Sequence, residues 1–106
     1  MKVSVIVPTF NSAKTIEDTL KSIIVQNWAD LQIIIQDGGS GDDTKSIVAK
    51  YPTALLGWRS EPDSGIYDAM NKGINRATGE IIAILNSDDA WLPGTLERVV
   101  SVFSRN

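Results

Sequence analysis

EIIAILNSDDAW, residues 80–91, decides the fold. After Glu80 the run is apolar without a break to Leu85. A strand with one face in water alternates apolar and polar residues, whereas a strand covered on both faces reads as a continuous apolar run. The stretch therefore predicts an interior strand of a sheet with helices on either side. It then drops into Asn86-Ser87-Asp88-Asp89. Two adjacent carboxylates repel each other, so either solvent screens them or something positive sits against them.

The rest of the chain repeats the pattern. VSVIV (3–7) is a β-branched run that ends at Pro8, and QIIIQ (32–36) is a second strand closed by Asp37-Gly38-Gly39. ALLGWR (54–59) is a weaker strand interrupted by Gly57. Between them lie helical spacings. Ile16, Leu20, Ile23 and Ile24 share one face within 12–27. Ser40 and Asp43 have the spacing of a capping box, opening a helix that turns Ile47 and Val48 inward and stops before Pro52. Residues 64–78 carry an apolar stripe of Ile66, Met70 and Ile74 beside the small residues Ala69, Gly73 and Ala77, which would let a helix approach a sheet closely. A last helix starts near Pro93, with Leu96, Val99, Val100 and Phe103 on one face. The expected fold class is α/β, Rossmann-like, with a mostly parallel sheet of about four strands flanked by helices. It forms a single domain over residues 1–106, and one edge of so small a sheet is expected to be open.

Composition removes several chemistries. The chain has 106 residues, no Cys and no His, so disulfides, thiolates and imidazole bases are excluded. A metal would have to take oxygen ligands, which favours Mg²⁺ or Mn²⁺. The net charge of −3 offers no basic face for nucleic acid. The N-terminal MKVSVIVPTF lacks a signal-peptide core, and no apolar run approaches the roughly 20 residues needed to span a bilayer. The expectation is a cytoplasmic protein.

Ligands of open α/β sheets bind beyond the carboxyl ends of the strands. Those ends here are Pro8-Thr9-Phe10-Asn11, Asp37-Gly38-Gly39-Ser40, Glu61-Pro62-Asp63-Ser64-Gly65 and Asn86-Ser87-Asp88-Asp89. Each acid also has a plain reading. Asp37 fits an Asx-turn, Asp88 or Asp89 a helix cap, and Asp63 with Ser64 a cap for which that is the better account. Trp91 is a packing residue, and Tyr67 and Asp68 belong to a helix surface. The sharper reading joins the acids. A carboxylate after the second strand accepts from a base N–H or a ribose hydroxyl, and one after the fourth holds a divalent cation that neutralises a diphosphate. No P-loop and no G-x-G-x-x-G follows the first strand. Paired acids at that position, as a phosphoacceptor domain needs, are also missing.

VSVIVPTFN, QDGGSGDDT and SEPDSGIYDAMNKGINRATGEIIAILNSDD together resemble the nucleotide-binding half of family 2 glycosyltransferases of the GT-A fold, over nearly the whole chain. The IYDAMNKG segment is most similar to bacterial members that build surface polysaccharides. The resemblance implies an inverting, metal-dependent transfer of a sugar from a nucleotide-diphosphate sugar, with UDP favoured, to a saccharide or lipid-linked acceptor. It implies Pro8, Thr9, Asn11, Asp37, Gly38, Asn71 and Ser87 around the nucleotide. The family's D-x-D falls on Asn86-Ser87-Asp88, which makes Asp88 the metal ligand, with Asp89 beside it. Glu17 matches a structural position. Where many members carry Ala-Arg-Asn this chain has Ala69-Met70-Asn71, so the diphosphate must be met by the metal, Lys72 or backbone donors. The family's general base belongs to an acceptor-binding half that these residues do not match, so donor binding without transfer is expected. A peripheral place at the inner face of the membrane is a further expectation. The alternative is a non-catalytic nucleotide-sugar-binding module acting with a partner, or paired with itself through the open sheet edge.

Overall fold

The computed structural model describes residues 1–52 and 55–104. Strands and helices alternate: β1 (Val3–Thr9), α1 (Ile16–Ile24), β2 (Leu31–Asp37), α2 (Thr44–Val48), β3 (Leu56–Ser60), α3 (Ile66–Arg76), β4 (Ile81–Ile84) and α4 (Thr95–Ser104). The four strands form one sheet in the order β3-β2-β1-β4, every pair parallel. The expected α/β architecture is therefore the observed one. The third strand begins at Leu56, two residues later than its sequence suggests, and residues 53 and 54 lie outside the described residues.

Side chains of successive strand residues point to opposite faces. Val3, Val5 and Val7 of β1 and Ile33 and Ile35 of β2 pack with Ile16, Leu20 and Ile23 of α1 and with Leu96 and Val100 of α4. All seven residues of β1 are buried. Each such Val or Ile contributes roughly 1.5–3 kcal/mol through removal from water. This one-sided core fixes where the strand ends lie. Trp91 packs against it, as its sequence context suggests. Phe103 does not, being 54% exposed although it shares the periodicity of Leu96 and Val100.

The strand does not end at Pro8 but runs through it to Thr9. The backbone explains why. Leu85 N–H donates to Ile6 O, so Ile6 faces β4, and Pro8, two residues on, turns its nitrogen the same way. The β1–β4 ladder stops at Ile6↔Ile84, so no bond is lost at Pro8.

The other face is covered by α3, which approaches through the small residues that the sequence sets out for close contact. The stripe that meets the sheet is Ala69 and Gly73, not Ile66 and Ile74, which are 45% and 38% exposed. A Cβ on Gly73 would collide with the side chain of Ile6. Ile6 and Ile34 fill this face of the sheet, so only a helix with small residues can lie on them. At its far end α3 is fastened by Arg76, which donates to Ile35 O, Gln36 Oε1 and Gly57 O at 3.3, 2.9 and 2.9 Å. Burial lowers the Arg76 pKa from its ordinary value.

The helix α2 is shorter than expected, and no capping box opens it. Ser40 turns back to Asp37 instead, and Asp42 Oδ1 accepts from Thr44 N–H at 3.1 Å. The continuous apolar run of β4 predicted an interior strand covered on both faces, and this is corrected: β4 is the edge strand, and on its α3 side Ile82 and Ile84 are 44% and 40% exposed. No described helix is long and apolar enough to cross a membrane.

Candidate nucleotide site

A cavity of about 1070 Å³ opens at the carboxyl ends of the strands. It lies where the strand order places a switch point: β1 leads by α1 toward β2, and β4 returns to the opposite side of β1. Its walls are the loop after β1 up to Thr15 at the head of α1, the first turn of α3 with the residues before it, Gly38 after β2, and Asn86-Ser87-Asp88 after β4. At about 1000 Å³ it is large for a small-molecule site, with room for a nucleotide bearing a sugar.

The loop after β1 is stapled to the loop after β2. Asn11 takes a left-handed backbone (φ 48°), a conformation Asn tolerates better than most residues. Its Oδ1 accepts from Gly41 N–H at 2.8 Å, and its own N–H donates to Ser40 Oγ at 2.8 Å. Ser12 N–H donates to the buried Thr44 Oγ1 at 2.9 Å, and Ala13 N–H to Asp42 Oδ2 at 3.2 Å. The Thr44 hydroxyl, which donates to Asp42, is the main cause of a lowered Asp42 pKa.

The loop after β4 is held from α1. The Thr19 hydroxyl lies 2.9 Å from Ser87 O and 2.6 Å from Asp89 O, and the Thr15 hydroxyl donates to Ser87 O at 2.8 Å. Ser87 Oγ pairs with Ser12 Oγ. Asp89 N–H closes a turn on Asn86 O at 3.0 Å. The result is a fixed backbone from which Asp88 projects, exposed, into the cavity. Asp89 is exposed as well but does not line the cavity. Asn86 also lines it, and its Oδ1 is a buried acceptor with no partner among the described residues. An acceptor left dry without a donor costs about 1–3 kcal/mol, so a ligand hydroxyl there would relieve a standing cost.

Of the sequence-predicted nucleotide residues, Pro8, Thr9, Asn11, Gly38 and Ser87 line the cavity, while Asp37 and Asn71 do not. Asp37 is fully buried. Its carboxylate takes Gly39 N–H at 3.0 Å, Ser40 N–H at 2.8 Å, the Ser40 hydroxyl and the Ser60 hydroxyl at 2.7 Å. The Asx-turn reading of Asp37 is what the bonds describe, with Ser60 added from β3. Asn71 is exposed on α3. Lys72 is engaged by Asp68 at 3.2 Å and by Pro62 O at 3.1 Å. The Asp68 pKa is lowered first by Ser64 N–H and then by Lys72. Among the described residues the cation on the cavity wall is Lys14, which the sequence reading passed over. Phe10, 61% exposed, also lines the cavity unpredicted, although it sits between Thr9 and Asn11.

Three carboxylates line the cavity, those of Asp42, Asp63 and Asp88, against Lys14 and the positive ends of two helices, α1 and α3. No group of three or more acids is close enough to hold a metal unaided among the described residues. Mg²⁺ and Mn²⁺ do not need one. They bind through one or two carboxylates and complete their shell with substrate phosphates and water. Asp88 with a diphosphate fits that donor set; a free metal site on the protein alone does not.

The family profile described as "Glycosyl transferase family 2" matches residues 4–106. An uncharacterized glycosyltransferase of Mycobacterium tuberculosis (strain H37Rv) is 38% identical over 104 residues, covering 96% of this chain and 40% of that protein. A glycosyltransferase of PGL/p-HBAD biosynthesis from the same strain is 37% identical over 102 residues, covering 92% and 40%. Among solved structures, Staphylococcus aureus TarS 1–349 in complex with UDP-GlcNAc superposes with a TM-score of 0.91 at 32% identity, covering 99% of this chain and 32% of that one. A mannosyltransferase of Pyrobaculum calidifontis in complex with GDP-Man and Mn²⁺ gives a TM-score of 0.86 at 34% identity, covering 93% and 31%. The chain thus spans about a third to two-fifths of the length of the proteins it matches.

Proposed function

Since the chain belongs to glycosyltransferase family 2, we propose that its cavity binds the nucleoside diphosphate of a sugar donor, with a divalent cation between Asp88 and the diphosphate. The observation that carries this is Asp88 itself. It is an exposed carboxylate with no cation beside it among the described residues, projected into the cavity by a backbone whose carbonyls the hydroxyls of Thr15 and Thr19 hold. Mn²⁺ or Mg²⁺ there would neutralise the diphosphate and stabilise it as a leaving group.

The chain's own residues account for binding and orientation. Lys14 and the residues that lead into α1 meet the phosphates, with help from the helix's positive end. Asn86 Oδ1 takes a ribose hydroxyl, and Phe10 offers a ring face to the nucleoside. UDP is the proposed nucleotide, in line with the TarS complexes, and GDP is the other candidate, in line with the mannosyltransferase. The full reaction is an inverting displacement at the anomeric carbon by a hydroxyl of a saccharide or lipid-linked acceptor, in polysaccharide synthesis. The base that removes the hydroxyl proton is assigned to none of these 106 residues. The purified chain is expected to bind donor without transferring it.

Calorimetric titration of UDP with and without Mn²⁺, on the wild type and Asp88→Ala, tests the reading. Binding is expected with Mn²⁺ and at least roughly 10-fold weaker when either the metal or the carboxylate is removed. Equal affinity in all four titrations would end the metal role. Failure of both UDP and GDP to bind the wild type would end the donor-site reading.

A further inference from the structure

β1 and β4 separate before they reach the cavity. The last backbone bond between them is Leu85 N–H to Ile6 O. Beyond it β1 runs on beside β2 alone, and β4 gives way to Asn86. The turn at residues 10–12 and the loop that carries Asp88 therefore have no ladder between them. Among the described residues one hydrogen bond joins the two, between Ser12 Oγ and Ser87 Oγ at 2.5 Å. Both serines are buried.

Their hydroxyl protons can be assigned. Each serine has one to give. Ser12 Oγ lies 3.2 Å from Phe10 O, which only accepts, and Ser87 Oγ has no partner but Ser12 among the described residues. If Ser12 donated to Ser87, the Phe10 carbonyl would lose this donor and the Ser87 proton would have no protein acceptor. The arrangement that uses both protons runs from Ser87 to Ser12 to Phe10 O.

Ser12 is the anchored member of the pair. Its N–H donates to Thr44 Oγ1 at 2.9 Å, and Thr44 in turn donates to Asp42. Its carbonyl accepts from Thr15 N–H at 3.0 Å and Ile16 N–H at 2.8 Å, at the head of α1. Thr15 and Thr19 hold the Ser87 carbonyl, and Ser12 holds the Ser87 side chain. The two ends of this chain of bonds face one cavity. Phe10 lines it at one end, and Asp88, next to Ser87, lines it at the other. A nucleotide against Phe10 and a cation on Asp88 therefore load the same chain from opposite sides.

We propose that Ser12 is a positioning residue whose hydroxyl couples the turn that meets the nucleotide to the loop that presents Asp88, so that nucleotide and cation strengthen each other's binding through the protein as well as through the diphosphate they share. This rests on the donor-site reading above and adds the link between its two halves.

Coupling between two ligands is a ratio of affinities. Calorimetry of UDP with and without Mn²⁺ therefore tests it on the wild type, Ser12→Ala, Ser87→Ala and the double variant, with urea unfolding to establish that each is folded. In Ser12→Ala the factor by which Mn²⁺ tightens UDP is expected to fall roughly 3- to 10-fold, as for one or two neutral hydrogen bonds, while UDP affinity without Mn²⁺ stays within about 2-fold. Ser87→Ala removes one of the two bonds and should lower the factor less. The double variant should match Ser12→Ala, because both changes cut one chain. Should Ser12→Ala not fold, Ser87→Ala reads the same factor alone. A purely structural role for Ser12 would weaken UDP equally with and without the metal. That unchanged factor, or losses that multiply in the double variant, would overturn the proposal while leaving the donor site intact. A wild type that binds no nucleoside diphosphate would overturn the donor site and the coupling together, and one that binds UDP equally with and without Mn²⁺ would overturn the metal role and the coupling.

Discussion

Asp37 and Asp88 begin from similar sequence contexts and end in opposite states. Each follows an apolar parallel strand, and each reaches the same edge of the sheet. Asp37 is buried beneath its own loop and bonded by four donors, whereas Asp88 is exposed with its backbone, not its carboxylate, held by the protein. The difference is the supply of local donors. Gly39 and Ser40 curl back over Asp37, and Ser60 reaches it from β3. Around Asp88 the hydroxyls of Thr15 and Thr19 are turned to main-chain carbonyls, which leaves the carboxylate for something from outside. Position at a strand end is thus shared by structural and ligand-binding acids, and counting the donors separates them.

The largest break should come from Asp37→Ala. It leaves two hydroxyls and two N–H groups without the buried carboxylate they bond, and hydrogen bonds to a charged group contribute about 1.5–3 kcal/mol each. Unfolding in urea should show a loss of about 3 kcal/mol or more. A loss below about 1 kcal/mol would mean that the loop after β2 is held by something other than Asp37.

Thr19→Val should act on the other region at smaller cost. It keeps the shape of the side chain but leaves Ser87 O without one of its two hydroxyl neighbours and Asp89 O without its own. The expected loss is about 1–2 kcal/mol in urea unfolding, together with weaker Mn²⁺-dependent UDP binding. If stability falls and metal-dependent binding does not, Thr19 supports the fold without positioning Asp88.

Acid should separate the two loops as well. The Asp42 pKa is depressed in the folded protein, so its contribution is fully present above the unfolded carboxylate value and is lost as pH falls through the lowered folded value. Protonation would remove an acceptor from Thr44 and Ala13, loosening the staple between the loops after β1 and β2. Amide exchange at Ala13 and Thr44 should therefore stay slow through the ordinary carboxylate range and quicken only below it. Quickening near pH 5 would contradict the depressed value.

Much of this was legible in the sequence because periodicity and apolar runs mark the elements, although the run of β4 overstated its burial, since Ile82 and Ile84 are exposed at the sheet edge. All four strands and the parallel sheet follow from them. What periodicity does not report is which stripe of an amphipathic helix meets the sheet. On α3 the larger residues, Ile66 and Ile74, are on the outside because Ile6 and Ile34 already fill the contact and leave room only for Ala69 and Gly73. Nor does local sequence reveal a donor 23 residues away, as Ser60 is from Asp37, or a carboxylate lodged over a glycine, as Asp63 is over Gly38. Lys14 was missed for the opposite reason. As a charged residue near the start of a helix it looks like surface, and only the closing of the loops around it makes it a wall of the cavity.

The smallest stability effect should be that of Asp88→Ala, and its smallness is informative. The side chain is exposed and makes no hydrogen bond or ion pair within the described residues, so its removal should change unfolding free energy by less than about 0.5 kcal/mol. The same change should abolish the Mn²⁺-dependent part of UDP binding. Three carboxylates face one cavity, and like charges repel, so any net effect of the change on the unliganded chain is expected to be toward stability. Stabilisation in the absence of ligand, joined to loss of binding in its presence, is what an acid kept for a ligand predicts. An Asp88→Ala variant as damaged as Asp37→Ala would instead place the carboxylate among the loop's own supports, and the contrast between the two acids would fail.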